Sequence, residues 1–291
     1  MEPKHPEAIF KTHLEERKVG EAQLDSAKQN LAKTYVNAFV NAGLCNDLLI
    51  CKKEGSDDWV FSNKGVGQMA AAASLGLLQL WDIDEALESI DKYMERSEET
   101  IQAGSYIALG IVNSGIKNDA DAAFAILADK LESATTEKHK IGILMGLSLA
   151  YASSARADLL ELISPIIVDS DNSIELQAMA SLSIGLIFCG TCDQDAAESI
   201  TQILLEKEEK DLEHSFTRIF ALGLGLLYLG QQSLVETSLE VIKCLPHKNM
   251  ADFVSLVMET CAYAGSGNVL NIQKLLHICA EHKEDEKEST H

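Results

Sequence analysis

The sequence contains few residues that break helices and no segment that predicts a membrane span. Only four prolines occur in 291 residues, at positions 3, 6, 165 and 246. Because proline interrupts helices most strongly, long helices can run almost unbroken. No apolar run approaches the ~18 uncharged residues of a bilayer-spanning helix. The first residues are polar and lack a signal-peptide pattern, so we expect a protein of the cytoplasm and nucleus.

Basic residues are also scarce. The chain has 24 Lys and Arg against 45 Asp and Glu, a formal net charge of −21. This balance argues against nucleic acid and against an anionic membrane surface, because both are bound through Lys and Arg. It favours a protein partner with a basic or mixed face, whose association weakens in salt. An acidic surface that serves only solubility remains the alternative.

Catalytic and metal-binding patterns are missing as well. The sequence has no P-loop, no H-E-x-x-H, no G-x-S-x-G and no dinucleotide fingerprint, and its eight histidines are scattered. The seven cysteines predict reduced, buried thiols. Cys189 and Cys192 form a C-x-x-C, but no second pair or paired histidine follows. We therefore expect neither an enzyme nor a metal or cofactor site.

The chain does contain a repeat. A small-residue pattern recurs with its central column at positions 76, 110, 148, 185, 225 and 260, in steps of 34, 38, 37, 40 and 35 residues, and a further step of 38 backwards reaches Ala38. Five residues after this column a Gly or Ser marks a turn, at positions 43, 115, 153, 190, 230 and 265, and only Trp81 breaks that second column. Such a period predicts a stacked solenoid.

Each repeat is predicted to contain two helices. The first is apolar all round and rich in Gly and Ala, which indicates a buried helix, and the second has one apolar stripe. Since each helical glycine costs roughly 1 kcal/mol, close approach between neighbouring buried helices must offset that cost. Small inner and larger outer residues further predict an all-α solenoid that is strongly curved or toroidal. The helix pairs are expected at 68–80/83–96, 101–114/121–132, 138–152/157–168, 174–189/194–208, 215–229/233–244 and 249–264/268–281.

Three regions follow from this pattern. Residues 1–64 form a helical segment with a divergent repeat, an amphipathic helix at 8–17 and an exposed insertion at 52–64. Residues 65–282 form the solenoid. Residues 283–291 are a charged tail that cannot bury itself. Solenoids need polar caps, and neither end offers one, so we expect the chain to be a fragment.

Several sequence blocks resemble a known family. They lie at residues 10–15, 67–82, 91–93, 110–115, 190–192, 222–226 and 261–270, the last being the most specific. The chain is similar over nearly its whole length to the proteasome/cyclosome (PC) repeat proteins. Within them it resembles the ubiquitin-receptor scaffold subunits of the 26S proteasome regulatory particle base.

The resemblance implies a non-catalytic receptor. Such subunits hold a toroid of PC repeats that contacts the proteasomal ATPase ring. They dock ubiquitin chains and the ubiquitin-like domains of shuttle factors. A second nearby site holds the ubiquitin-like domain of a proteasome-associated deubiquitinase. A purely structural PC-repeat scaffold that contacts other subunits without binding ubiquitin is the alternative, and an acidic cargo adaptor outside the proteasome is a third.

The resemblance implies a principal site on outer helices, just after a Gly-Thr/Ser-Cys turn. In this sequence Asp195, Gln202 and Glu206 follow that turn, and at 100° per residue they fall within about 20° of one line that spans roughly 16 Å. Glu198 lies beside this line, and Asp158 and Glu161 on the preceding outer helix extend the patch. Gln202 weakens the negative potential. Because exposed ion pairs contribute only ~0–1 kcal/mol each, apolar contacts must anchor a ligand there. A solvated helix face is the alternative.

The resemblance also suggests a second ubiquitin-like site where the first clear outer helix begins. Asp82, Asp84 and Glu88 supply its acidic residues. N-terminal capping by Asp82 or Asp84 explains those residues equally well.

Overall fold

The structure is a computed structural model that describes residues 2–6, 8–9, 26–51, 59–117 and 120–280. These residues contain helices and turns and no strand. The regular array is preceded by α1 (Ser26–Val40) and by the short α2 (Trp59–Ser62). The helices then alternate between an inner and an outer row. The inner row consists of α3 (Val66–Leu78), α5 (Glu99–Val112), α7 (Glu137–Ala150), α9 (Ile174–Ile187), α12 (Thr217–Leu227) and α14 (Lys248–Ala262).

The outer row follows the same order along the chain. The short helix α11 (Glu209–Leu212) lies between its fourth and fifth helices, and a 3-10 turn (Gln232–Val235) directly precedes the fifth, α13 (Glu236–Ile242). These pairs confirm the predicted all-α array, with bounds within a few residues of those expected. The outer helices are α4 (Ile83–Met94), α6 (Ala122–Ser133), α8 (Ala157–Val168), α10 (Gln194–Glu206), α13 (Glu236–Ile242) and α15 (Val269–Ala280).

Glycine sets the distance between successive inner helices. These helices contact one another in chain order from α3 to α14, and α1 contacts α3. A methyl group added at Gly110 would overlap the carbonyl oxygen of Gly146, one inner helix further on. At Gly185, an added Cβ would lie 2.5 Å from the carbonyl oxygen of Gly223. The small residues therefore allow backbone-to-backbone packing, which offsets their low helix propensity.

The turn after each inner helix has one backbone conformation. The residue in the second sequence column is left-handed at Gly43, Gly115, Gly190, Gly230 and Gly265, and also at the non-glycine positions Trp81 (φ 75°) and Ser153 (φ 58°). Trp81 therefore breaks the column in residue type but keeps its geometry.

These turns also join successive repeats through main-chain hydrogen bonds. The N–H of Gly190 donates to the carbonyl of Leu226 at 2.9 Å, and the N–H of Cys192 donates to Leu227 at 3.0 Å. The same pair of bonds recurs from residues 43 and 45 to 77 and 78, and from 153 and 155 to 186 and 187. Because the last carbonyls of a helix have no partner within it, these three turns cap the inner helix that comes next in the array.

Two predictions need correction and three stay open. The exposed insertion is wrong for part of residues 59–64: Val60 is fully buried, Asn63 is nearly so, and Trp59 donates from Nε1 to Thr34 at 2.9 Å. Phe61, Ser62 and Lys64 are exposed as predicted. The cysteines are free but not deeply buried, since five are half-buried and two, Cys244 and Cys279, are exposed. Most of the helix expected at 8–17 and the tail at 283–291 lie outside the described residues, and strong curvature stays a prediction.

Candidate docking surface on the outer helices

Helix α10 presents the predicted acidic stripe to solvent. Asp193 begins it as a side-chain cap, accepting from the N–H of Ala196 at 2.9 Å. The stripe residues Asp195, Gln202 and Glu206 are exposed, and so is Glu198 beside them. The opposite face is buried against the core through Ala196, Ala197, Ile200, Ile203 and Leu204. One helix therefore divides into an apolar side fixed to the array and a polar side that is free to bind.

Helix α8 repeats this arrangement 37 residues earlier. Its buried residues Leu159, Ile163 and Ile167 correspond one by one to Ala196, Ile200 and Leu204. With the same offset, Asp158 corresponds to Asp195 and Glu161 to Glu198, and all four carboxylates are exposed. Helices α8 and α10 contact each other. The sequence-predicted residues therefore share one two-helix surface.

Asp158 differs from the other acids of this surface because Arg156 holds its carboxylate. The Nε and Nη2 atoms of Arg156 donate to its two oxygens at 3.0 and 2.5 Å. Hydrogen bonds from Arg156 lower the pKa of Asp158 below its ordinary value, against the opposing effect of desolvation. Asp158 is therefore largely neutralised by an internal partner.

Arg156 belongs to a cluster that joins α8 to the preceding repeat. Its Nη1 donates to Asp121 at 2.6 Å, and the guanidinium lies 4.3 Å from the ring centre of Phe124 and 4.8 Å from that of Tyr151. The hydroxyl of Tyr151 donates to Asp121. Burial and this bond raise the pKa of Tyr151. The cluster fixes the amino-terminal end of the two-helix surface.

Two apolar side chains end the same surface, and sequence reasoning missed them. Val168 in α8 is 46% exposed and Leu205 in α10 is 41% exposed, and the pair has the same 37-residue offset as the acids. This 37-residue offset is the feature of the sequence that could have identified the two residues. Three positions can be compared between the outer helices, namely those of Asp158, Glu161 and Val168 on α8. Among the first five outer helices, only α8 and α10 have two acids and an apolar residue there. The equivalents elsewhere are Glu85, Glu88 and Glu95 on α4, Ala122, Ala125 and Glu132 on α6, and Leu234, Thr237 and Cys244 around α13.

The second predicted site lies at the start of α4. Asp82 is half-buried and caps the helix by accepting from the N–H of Glu85 at 3.4 Å. Asp84 and Glu88 are exposed, and Glu88 lies 3.9 Å from Lys92 across one helical turn. Of the three residues, Asp82 has a structural role in this geometry, and the other two are free to meet a partner.

Within the described part of the chain, no group of three or more His, Cys, Asp or Glu side chains is arranged to hold a metal ion. In the same residues, no helix is long and apolar enough to cross a bilayer.

Comparisons with known proteins identify the class. No protein-family model matches the chain. It is 44% identical over 291 residues to the 26S proteasome regulatory subunit rpn-1 of Neurospora crassa, covering 99% of this chain and 32% of the relative. It is 46% identical over 292 residues to the corresponding subunit of Schizosaccharomyces pombe, with the same coverage. A 26S proteasome non-ATPase regulatory subunit 2 from Dictyostelium discoideum is 40% identical over 284 residues, covering 98% of this chain and 31% of that protein.

The repeats, the inner glycines and these relatives define a helical-repeat protein of the proteasome regulatory particle type. More specifically, nearly the whole chain matches a segment of proteins of the 26S proteasome non-ATPase regulatory subunit 2 family. It spans about a third of the length of the curated relatives that it matches.

Proposed function

We propose that this chain is a non-catalytic scaffold and receptor of the proteasome regulatory particle. It acts in the cytoplasm and nucleus, contacts the proteasomal ATPase ring, and docks ubiquitin chains and the ubiquitin-like domains of shuttle factors. Docking occurs on the surface formed by α8 and α10. The outer helix α4 offers the second site, for the ubiquitin-like domain of a proteasome-associated deubiquitinase.

One observation carries the proposal for the first site. Asp195, Glu198 and Glu206 are exposed on a helix whose other face is locked into the core, and Glu161 continues the acidic side on the adjacent helix. Ubiquitin-like domains present an apolar patch ringed by Lys and Arg. A fixed acidic surface complements that ring, and electrostatic complementarity of this kind raises association rates and specificity more than affinity.

Val168 and Leu205 supply the apolar contact that such a ligand needs. From Asp158 to Val168 a helix rises about 15 Å, and packed helices lie about 10 Å apart. The surface therefore has acids along its length and two apolar side chains at one end. This arrangement fits one face of a small domain.

Charge reversal tests the first site. Asp195→Arg together with Glu206→Arg should weaken binding of ubiquitin and of a shuttle-factor ubiquitin-like domain at least several-fold, because repulsion replaces attraction. Binding by the unaltered chain should fade with salt, while the helical circular dichroism of the variant stays unchanged. As a matched control, Glu132→Arg with Asp129→Arg makes the same change in net charge on exposed positions of α6. Unchanged binding by the first variant would remove this site.

A purely structural scaffold is the second candidate, and specific contacts favour it. Asp158 is paired with Arg156, Asp193 caps α10, and Gln202 donates from Nε2 to Glu206 at 2.8 Å. Several acids thus have roles inside the fold. Retained binding to the ATPase ring, with no detectable binding of any ubiquitin-like domain, would support this candidate instead.

A further inference from the structure

Trp81 combines features that its place in the fold does not require. It occupies the turn position where the six other repeats have Gly or Ser, with a left-handed φ of 75°. A bulky residue in this conformation has a steric cost, because its Cβ crowds the backbone. The side chain is also 70% exposed, so burial in this chain offsets little of that cost. Large exposed aromatic residues held in a fixed position are typical of binding anchors.

The surroundings of Trp81 hold its ring in place. A Cβ added at Gly43 would lie 3.6 Å from the six-membered ring of Trp81, so the ring packs over the preceding turn. That turn is fixed, because the N–H groups of Gly43 and Cys45 donate to the carbonyls of Leu77 and Leu78 at 2.9 Å. One side of the indole is therefore supported by the array and the rest faces solvent.

Carboxylates lie next to this ring in the chain. Trp81 directly precedes the cap residue Asp82, and the first turns of α4 present exposed Asp84, Glu85 and Glu88. Lys92 lies 3.9 Å from Glu88, and because both side chains are exposed this ion pair is weak. An exposed indole with an acidic border complements an apolar patch with a basic border.

We propose that Trp81 is the apolar anchor of the second docking surface and that its occupant is a ubiquitin-like domain. The inference rests on the proposed function and adds to it the residue that binds. On association the indole packs against the apolar patch of the domain, and Asp84, Glu85 and Glu88 face its Lys and Arg residues. The remaining half-buried carboxylate, Asp82, stays with the helix that it caps.

The first experiment uses Trp81→Gly in the chain that already carries Asp195→Arg and Glu206→Arg, so that binding reports the second surface alone. The probe is the ubiquitin-like domain of a proteasome-associated deubiquitinase. Glycine suits the left-handed turn, so the melting temperature should stay the same or rise. The dissociation constant should increase at least about tenfold, as expected for loss of an aromatic anchor. Phe39→Ser, at a side chain of equal 70% exposure, is the matched control and should bind normally.

The second experiment observes the indole directly. In a Trp59→Phe background Trp81 is the sole tryptophan of the chain. A ubiquitin-like domain without tryptophan should shift its emission to the blue as the ring leaves water. Normal affinity of Trp81→Gly, or unchanged emission at saturation, would overturn the inference while leaving the proposed function intact. If the chain with unaltered residues bound no ubiquitin-like domain at all, the proposed function itself would fail.

Discussion

Arg156 neutralises Asp158 through a two-pronged ion pair, with the guanidinium donating to both carboxylate oxygens at 3.0 and 2.5 Å. The same guanidinium reaches Asp121, 35 residues earlier, at 2.6 Å. Of the acids assigned to the first surface, Asp158 is thus the one whose charge is paired with a basic residue that is itself bonded to the preceding repeat. Its carboxylate is fixed in direction, and its charge contributes little to attraction at a distance.

Replacing Arg156 should therefore change affinity and stability in opposite directions. Arg156→Gln removes two ion pairs and two aromatic contacts, which should lower the free energy of unfolding by about 1–2 kcal/mol. It also releases Asp158 and Asp121, so ubiquitin should bind about two- to fivefold more tightly at low salt. Urea denaturation and a binding titration measure the two effects. Arg218→Gln makes the same charge change at an exposed position outside α8 and α10 and should leave binding unaltered. Equal tightening in that variant would show that net charge alone causes the effect.

The same ion pair predicts a pH dependence of stability. Because Arg156 lowers the pKa of Asp158 in the folded protein, the contribution of this carboxylate is fully present above its unfolded pKa of about 3.9. It is lost as the pH falls through the lower, folded value. The stability difference between the unaltered chain and Asp158→Asn should therefore be constant from pH 7 to about pH 5 and shrink below about pH 4. Urea denaturation across this range measures it, and a difference that stays constant at acid pH would contradict the prediction.

Inner-helix packing predicts a sharp contrast between two glycines. Gly110→Ala places a methyl group on the carbonyl oxygen of Gly146 and should destabilise the fold by about 2–4 kcal/mol. Gly67→Ala adds the same methyl group near the side chain of Asn63 at an ordinary 3.5 Å, so it should be neutral or stabilising by up to about 1 kcal/mol. Thermal unfolding distinguishes them. Similar effects at both positions would show that propensity, and not close packing, determines the role of Gly110.

The helical array could be predicted from the sequence because the residues that it requires recur in every repeat. Each inner helix needs small residues at the contact and each turn needs a left-handed residue, so the requirement appears once in every period. Trp81 shows the limit of this reasoning. Residue type predicts a break there, but the backbone of Trp81 is left-handed, as it is in the glycine turns.

The stripe on α10 was also predictable, because helical geometry alone puts Asp195, Gln202 and Glu206 on one side. The ion pair between Asp158 and Arg156 could not be predicted. Its partner Arg156 is two residues away, a separation that does not predict a contact, and the cluster depends on Asp121 in another repeat. Contacts between repeats follow from their stacking, which a single sequence does not specify at the level of side chains.

The apolar end of the first surface gives the last prediction. Val168→Ser with Leu205→Ser should weaken ubiquitin binding about tenfold or more, because two partly exposed side chains lose their contact with the ligand. Stability should change little, since both side chains are over 40% exposed. Leu234→Ser with Val241→Ser is chemically the same pair of changes on the next outer helix, at 61% and 45% exposure, and should have no effect on binding.

Salt dependence separates this apolar contribution from the charges. The serine pair removes no charge, so the slope of affinity against salt should equal that of the unaltered chain, whereas the Asp195→Arg and Glu206→Arg variant should flatten or invert it. Titrations at three salt concentrations therefore assign each loss to its cause. If the serine pair bound normally while charge reversal abolished binding, the acids would have to hold the ligand alone. Exposed ion pairs of ~0–1 kcal/mol each would then be too weak to account for stable docking, and another apolar contact would have to exist on α8 or α10.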